Sequence, residues 1–385
     1  MTRARRWTAA GLAAVTATLG AGTVLHAVPA AWRTTTARVD LGATGDPYPS
    51  PPPTTSPATT APASPAPSPT GSTCTVDAKL VPSCNLLWGA AAGGFGSVPR
   101  DRALRDWEVL SGRAATIFHA YHRGDELFPT KAEIAMARDA ANPRVLMLNW
   151  KVANGSTWAG VAAGEQDARI DRWAAHVRAN FPETFFLVPH HEPENDVVPA
   201  AGSGMTATDY AAMYRHVVTR LRAAGLTNVV TVLAYLGNEK WLGQGWWPDL
   251  YPGDSYVDWI GLDSYVSVQP GAYHYGAFAD LLDRKGAGTG NLGFYAWATS
   301  RHPDKPIIVA EWGAYHPVAT VLDKALVYGG VAAELRKRPA IKGIVYFDTK
   351  ADGAGDRDIS IDSSATALAA FRRLAADPMF TVTLK

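Results

Sequence analysis

Phe185-Phe186-Leu187-Val188-Pro189 runs directly into His190-His191-Glu192-Pro193-Glu194-Asn195-Asp196. The apolar half is short, unbroken and rich in aromatic and branched side chains, which is the pattern of a buried strand. The polar half therefore falls where that strand ends. A second stretch repeats the design: Pro306-Ile307-Ile308-Val309-Ala310 leads into Glu311-Trp312-Gly313. Two strands thus each deliver a glutamate at the C-terminal end. In a parallel α/β barrel those ends converge on one face, and active sites form there. Two carboxylates facing each other across a cleft are the minimum equipment for cleaving a glycosidic bond.

Working outward, the chain alternates strand and helix from Cys74 onward. Strands are expected at 86–91, 114–119, 145–150, 184–190, 229–234, 256–263, 306–311 and 342–347. Between them, 167–180 places Ile170, Trp173, Ala174 and Val177 on one helical face, and 209–224 does the same with Tyr210, Met213, Val217 and Leu221. Gly225 stands where a left-handed residue ends a helix. Leu104, Trp107 and Leu110 mark an earlier helix, and 365–374 a last one. Eight βα units predict an α/β fold, a single (β/α)8 TIM barrel over 74–385. The runner-up, an open doubly wound sheet, needs a glycine-rich first turn; Gly89-Ala90-Ala91-Ala92-Gly93-Gly94 lacks the G-x-G-x-x-G spacing.

The N-terminal part reads differently. Residues 1–33 carry Arg3, Arg5 and Arg6, then a weakly apolar stretch and the small residues Ala27-Val28-Pro29-Ala30. This is the pattern of an export signal, with an uncleaved membrane anchor as the alternative. Residues 34–73 form a linker dominated, from 44 on, by Pro, Thr, Ser and Ala; such a segment cannot bury a core and stays extended. The chain is therefore expected to be secreted, with the N-terminal segment as its means of membrane or cell-wall association. In an exported protein Cys74 and Cys84 are expected to pair as a disulfide, with two free thiols as the alternative.

Charged residues make up 18% of the chain and the formal net charge is +1, so no nucleic-acid partner is implied. The expected partner is a polysaccharide, and the chain is read as a monomer. Thirteen Trp and fourteen Tyr serve equally well as core or as sugar-stacking surface.

The motifs taken together resemble glycoside hydrolase family 26. The resemblance rests on His191-Glu192 after the fourth strand, on Tyr251-Pro252-Gly253-Asp254 leading into the run from Val257 to Tyr265, and on Val309-Ala310-Glu311-Trp312-Gly313. It implies a retaining (β/α)8 enzyme acting on β-mannan, β-1,3-xylan or mixed-linkage β-glucan, without metal or organic cofactor. It also implies roles: Glu192 as acid/base, Glu311 as nucleophile, His191 in the sugar site and Tyr265 holding the nucleophile. Asp263 lies beside Tyr265; Trp150 and Trp312 are expected to line the cleft, as are His119, Tyr121 and His122 at the end of strand two, for which packing is the alternative. The chain departs from the family where Pro193-Glu194-Asn195-Asp196 follows the acid/base and where Tyr346-Phe347-Asp348 replaces a tryptophan on strand eight. Glu194 and Asp196 are read as loop charges or groups supporting the site.

Two other classes compete. A metal hydrolase would use His190, His191, Glu192 and Glu194, but adjacent strand residues point to opposite faces and no H-E-x-x-H is present. A non-catalytic polysaccharide-binding barrel would keep the aromatics without needing both glutamates.

Overall fold

The computed structural model describes residues 73–285 and 292–384 of the 385. The expected export signal and nearly all of the proline-rich linker lie outside the described residues. Among the described residues no helix is long and apolar enough to cross a membrane.

All eight expected strands are present: β1 (Leu87–Ala92), β2 (Ile117–Arg123), β3 (Val145–Lys151), β4 (Phe185–Pro189), β5 (Val229–Leu236), β6 (Trp259–Ser267), β7 (Ile307–Pro317) and β8 (Ile341–Asp348). Each pairs in parallel with its sequence neighbours, and β8 closes on β1, so the sheet is a complete barrel rather than the open alternative. A two-residue strand, β9 (Arg357–Asp358), folds back antiparallel onto the end of β7.

Helices cover the outside. Asp167–Asn180 buries Ile170, Trp173, Ala174 and Val177, as the spacing predicts. The helix expected from 209 begins at Ala207, because Thr206 caps it: the Thr206 hydroxyl accepts from the Asp209 amide and the Asp209 carboxylate accepts from the Thr206 amide. Gly225 follows that helix at φ 80°, the left-handed stop the sequence implied.

Apart from a break in β7, side chains alternate along the strands, and this sorts the apolar residues into two layers. One set, including Leu87, Met147, Phe186, Val232 and Ile308, fills the barrel interior. The other, including Trp107, Trp150, Trp173, Trp312 and Phe371, lies between barrel and helices.

The N-terminal mouth of the barrel is closed. Cys74 and Cys84 are joined in a disulfide, and the loop they bound places Leu80 against the interior set, with Val76, Val81, Val382 and Leu384 packed around it. Trp259, inside the barrel, donates its indole N–H to the Lys79 carbonyl at 2.8 Å. Among the described residues the C-terminal mouth carries no such plug.

Candidate active site

At the open mouth the inward positions of the strands turn from apolar to polar. On β2, Ile117 faces in, and period two then brings His119 and Tyr121 in as well. On β6 the same rule brings Asp263 and Tyr265 in above Trp259.

Strand β7 breaks the rule. Ile308 and Ala310 face in, so strict alternation would turn Glu311 outward. The pairing with β6 slips instead: Leu262 lies opposite Val309, but Asp263 lies opposite Glu311. Ala310 is the extra residue of a β-bulge, and the bulge turns Glu311 into the mouth. Beyond it, β7 and β6 run past the acidic residues at which their ends were expected. Glu311 then receives two hydrogen bonds, from the Tyr121 hydroxyl at 2.7 Å and from the Tyr265 hydroxyl at 2.5 Å. Both carboxylate oxygens are thereby held.

Glu192 is placed by a different device. After Pro189 the backbone leaves extended geometry: His190 adopts φ 58° and Glu192 φ 47°. Left-handed backbone at non-glycine residues costs about 1–3 kcal/mol each and persists only where the surroundings enforce it. The Glu192 amide donates to the Ala234 carbonyl at 3.0 Å. Trp158 donates to His190 Nδ1 at 3.3 Å, which leaves the proton on Nε2 to donate to Asp196 at 2.7 Å. Lys151 holds Asp196 from the other side at 3.0 Å. Glu194 is fully buried and accepts from Trp247 Nε1 at 2.9 Å and from the Leu236 amide at 3.1 Å. Asp196 and Glu194 are thus the braces of this turn, and Asn195 donates to Glu192 itself at 2.9 Å.

Strands on different sides of the ring therefore bring their acids together. Glu192, Asp263 and Glu311 each present a carboxylate oxygen within 4.8 Å of the others. Burial raises the proton affinity of all three, and repulsion adds to it at Glu192 and Asp263. Glu192 is pushed up to about 8 by burial, then by Glu311 and Glu194. Asp263, with no side-chain donor on either oxygen, is driven well above the carboxylate range by burial and by Glu311. Burial raises Glu311 as well, but its two tyrosine donors pull the other way and favour its charged form. The two carboxyls are thus treated differently: Glu311 has two phenol donors that favour its charged form, and Glu192 has the Asn195 amide. Environments that push two carboxyls apart in this way set up an acid and a base at one pH.

Among the described residues these three acids are also the cluster whose spacing suits a cation. A hard cation needs ionised oxygens with free lone pairs. Here burial and repulsion disfavour the ionised forms of Glu192 and Asp263, and Glu311 has a phenol on each oxygen, so the arrangement favours proton chemistry. The four-residue metal set His190, His191, Glu192 and Glu194 is not assembled: His190 and Glu194 point into their own buried braces.

The mouth opens into a cavity of about 440 Å³ lined by Tyr121, His191, Glu192, Tyr265, Glu311 and Phe347, among others. His191 stands edge-on to Tyr121, with ring centroids 5.5 Å apart, and burial lowers it to about 3, so it is neutral at the cleft wall. Several expected lining residues are not at the surface of this cleft. Trp150 follows the inward Asn149, so it faces outward; it is fully buried against Trp173 and Phe128 and donates to the Gly124 carbonyl. Trp312 follows Glu311 and is likewise turned out, packed on Tyr346 and Phe278. Both are core, not sugar platforms. His119 faces in but lies one layer down, stacked under Tyr121 at 4.6 Å and bonded to Asn149 at 2.9 Å. Asp263 is also beneath the floor. Of the strand-two residues expected at the cleft, Tyr121 lines it and also holds Glu311, a role the sequence did not show, whereas His122 bonds to Glu133 and stacks on Phe128.

Comparisons with known proteins agree with this geometry. Residues 188–320 match the model of glycosyl hydrolase family 26, a span that contains both glutamates. Endoglucanase H of Acetivibrio thermocellus is 28% identical over 293 residues, which take in 72% of this chain and 29% of that protein. The chain therefore spans less than a third of the length of that relative. Among solved structures, a modular endo-beta-1,4-mannanase from Cellulomonas fimi is similar with a TM-score of 0.53 at 20% identity, over 77% of this chain and 71% of that one. The GH26 domain of an endo-beta-mannanase/endo-beta-glucanase from Prevotella bryantii gives a TM-score of 0.52 at 14% identity, over 78% and 92%. At these identities the solved structures speak for the barrel alone. The family resemblance read from the sequence is borne out.

Proposed function

We propose that this family 26 glycoside hydrolase barrel is a secreted, retaining endo-β-glycanase that uses Glu311 and Glu192 in a double displacement. Glu311, ionised and aimed by Tyr121 and Tyr265, attacks the anomeric carbon. Glu192, protonated near neutrality, gives its proton to the departing glycosidic oxygen. With the leaving group gone, Glu192 takes a proton from water, and that water releases the sugar from Glu311. The observation that carries this reading is the short gap between the two acids. Retaining enzymes hold their carboxyls about 5–5.5 Å apart, whereas inverting enzymes leave about 6.5–9.5 Å for a water. Oxygens within 4.8 Å fit the former.

β-Mannan is the first substrate to test, because the similar solved structures are named as mannanases. The endoglucanase name of the sequence relative favours a second reading, mixed-linkage or other β-glucan. β-1,3-Xylan completes the family's range. Secretion is supported by the N-terminal composition, and the action of one chain's site by itself is consistent with a monomer.

Reducing-sugar release from mannan, β-glucans and β-1,3-xylan tests the activity, and NMR of the first product tests its stereochemistry. The reading expects hydrolysis of at least one of these and a first product in the β configuration. An initial α product rejects the double displacement. Sugar binding with no release of reducing ends supports the non-catalytic barrel instead.

A further inference from the structure

Strands β5 and β6 separate at the height of the acids. Their pairing ends with Leu236 opposite Asp263, where the Gly237 amide still donates to the Asp263 carbonyl at 2.9 Å. Strand β6 runs on to Ser267 without β5 beside it. In a parallel ladder, residues two apart turn their carbonyls to the same neighbour. The Tyr265 carbonyl therefore faces the side that β5 has left. A backbone acceptor stranded there would cost about as much as a lost hydrogen bond. The Tyr265 hydroxyl, at the other end of the same residue, donates to Glu311 at 2.5 Å. What fixes this backbone thus bears on the nucleophile, so the inference rests on the function proposed above.

Arg284 fills the abandoned side. One guanidinium nitrogen donates to the Tyr265 carbonyl at 2.9 Å. The other terminal nitrogen reaches the Ser264 hydroxyl at 3.3 Å and the Gly237 carbonyl at 3.4 Å. One side chain thereby ties the end of β6 to the loop after β5. The Glu239 carboxylate stands 3.7 Å from its Nε, which balances charge without taking a hydrogen bond. Glu239 is held in turn by His274 at 3.0 Å, and the His274 carbonyl accepts from the Ser267 amide at 2.8 Å. The contacts therefore close a ring that begins and ends on β6.

The guanidinium is also delivered from a fixed base. Arg284 follows directly on the helix Phe278–Asp283, which buries Phe278, Leu281 and Leu282. Phe278 packs edge-on to Trp312, the residue after Glu311, with ring centroids 5.0 Å apart. Asp283 is held by Arg338 at 3.2 Å. The Arg284 side chain is itself only 10% exposed.

We infer that Arg284 is a positioning residue: it takes the place of a neighbouring strand at the end of β6 and so holds the Tyr265 hydroxyl, and through it the Glu311 carboxylate, in line for attack. Glu311 is faced by Tyr121 from β2, by Asp263 and Tyr265 from β6 and by Glu192 from the turn after β4. Of these, Tyr265 is the one that Arg284 bonds. Arg284 is faced by Glu239, Tyr315, Tyr273 and Asp280, with His274 beyond Glu239.

The test uses the full chain and a β-glycan that the wild type cleaves. Tyr265→Phe sets the reference. A Glu311 with one donor fewer takes its proton more readily, so the acid limb of the kcat/KM profile should move to higher pH. We expect Arg284→Met to move that limb in the same direction. It should lower kcat by about tenfold, the size of one hydrogen bond to a charged group, with KM within about a factor of two. Arg284→Lys keeps the charge but not the planar fork, and should fall between Arg284→Met and the wild type. Added to Tyr265→Phe, Arg284→Met should cost less than about a further twofold, since both act through one hydroxyl. Circular dichroism checks the fold; if Arg284→Met does not fold, Arg284→Lys carries the same cycle. An acid limb that stays at its wild-type pH in a folded Arg284 variant, or losses that multiply in the double variant, overturns the positioning role and leaves the hydrolase reading intact. A wild type that cleaves no glycoside in the panel overturns the hydrolase reading and the positioning role with it.

Discussion

The two mouths of this barrel are built on opposite rules. At the N-terminal end the polar chain is used to exclude water: a disulfide loop presses Leu80 into the interior, and Trp259 bonds to the backbone of that same loop. At the C-terminal end three acids lie within reach of one another, two of them at positions the backbone must be forced to provide. Both ends carry left-handed backbone, Leu80 itself standing at φ 61°, but at one end it buries an apolar side chain and at the other it gathers carboxyls whose proton affinity a solvated carboxylate does not have. The division matches the general rule that barrel chemistry sits at the C-terminal face and stability at the other.

That contrast can be broken by substitution, starting with the largest effect. Glu311→Ala should lower turnover by at least about 10⁴-fold, since losing a nucleophile costs about as much as losing the whole catalytic unit. Circular dichroism and thermal unfolding should show the fold retained. Leu80→Ala acts at the other end. It should cost about 2–5 kcal/mol of stability, as for other buried leucines. Activity per folded molecule should stay within a factor of two in kcat. A loss of kcat in the Leu80 variant well below its unfolding temperature would deny that the mouths are separate.

Smaller effects sharpen the comparison within the active mouth. Tyr121→Phe removes a donor that stabilises the Glu311 anion. The proton affinity of Glu311 then rises. The acid limb of the kcat/KM profile should move to higher pH, with about a tenfold loss at its optimum. The basic limb reports Glu192, which must be protonated in the free enzyme, so activity should fall as pH rises through about 8. Asn195→Ala removes a donor that favours the charged form of Glu192; the basic limb should move upward by a few tenths of a pH unit and the acid limb should stay in place.

Much of this was legible in the sequence because the barrel repeats one simple pattern. Short apolar runs ending in polar residues gave all eight strands, and helical spacing gave the buried faces of the covering helices. The acids after the apolar runs of β4 and β7 stood out because carboxylates following buried runs have few structural uses. What period two could not show was its own interruption. The bulge at Ala310 turns Glu311 inward and leaves Trp312 outward, and nothing in the local composition announces it. Reading Trp312 as cleft floor followed from its neighbour, whereas consecutive strand residues face opposite ways. Trp150 failed for the same reason, one residue after the inward Asn149. The left-handed turns at His190 and Glu192 were equally hidden, because ordinary residues adopt them only when long-range partners such as Ala234, Asp196 and Trp158 enforce them.

The central claim is that Glu311 is the group that attacks sugar, and covalent trapping tests it most directly. A 2-deoxy-2-fluoro β-glycoside with a good leaving group slows the release of a glycosyl-enzyme more than its formation. Mass spectrometry of the treated protein should show one added fluoroglycosyl group, and peptide mapping should place it on Glu311. A label carried by Glu192 or another residue, or continued turnover of the probe with no adduct and an inverted product, would contradict the account.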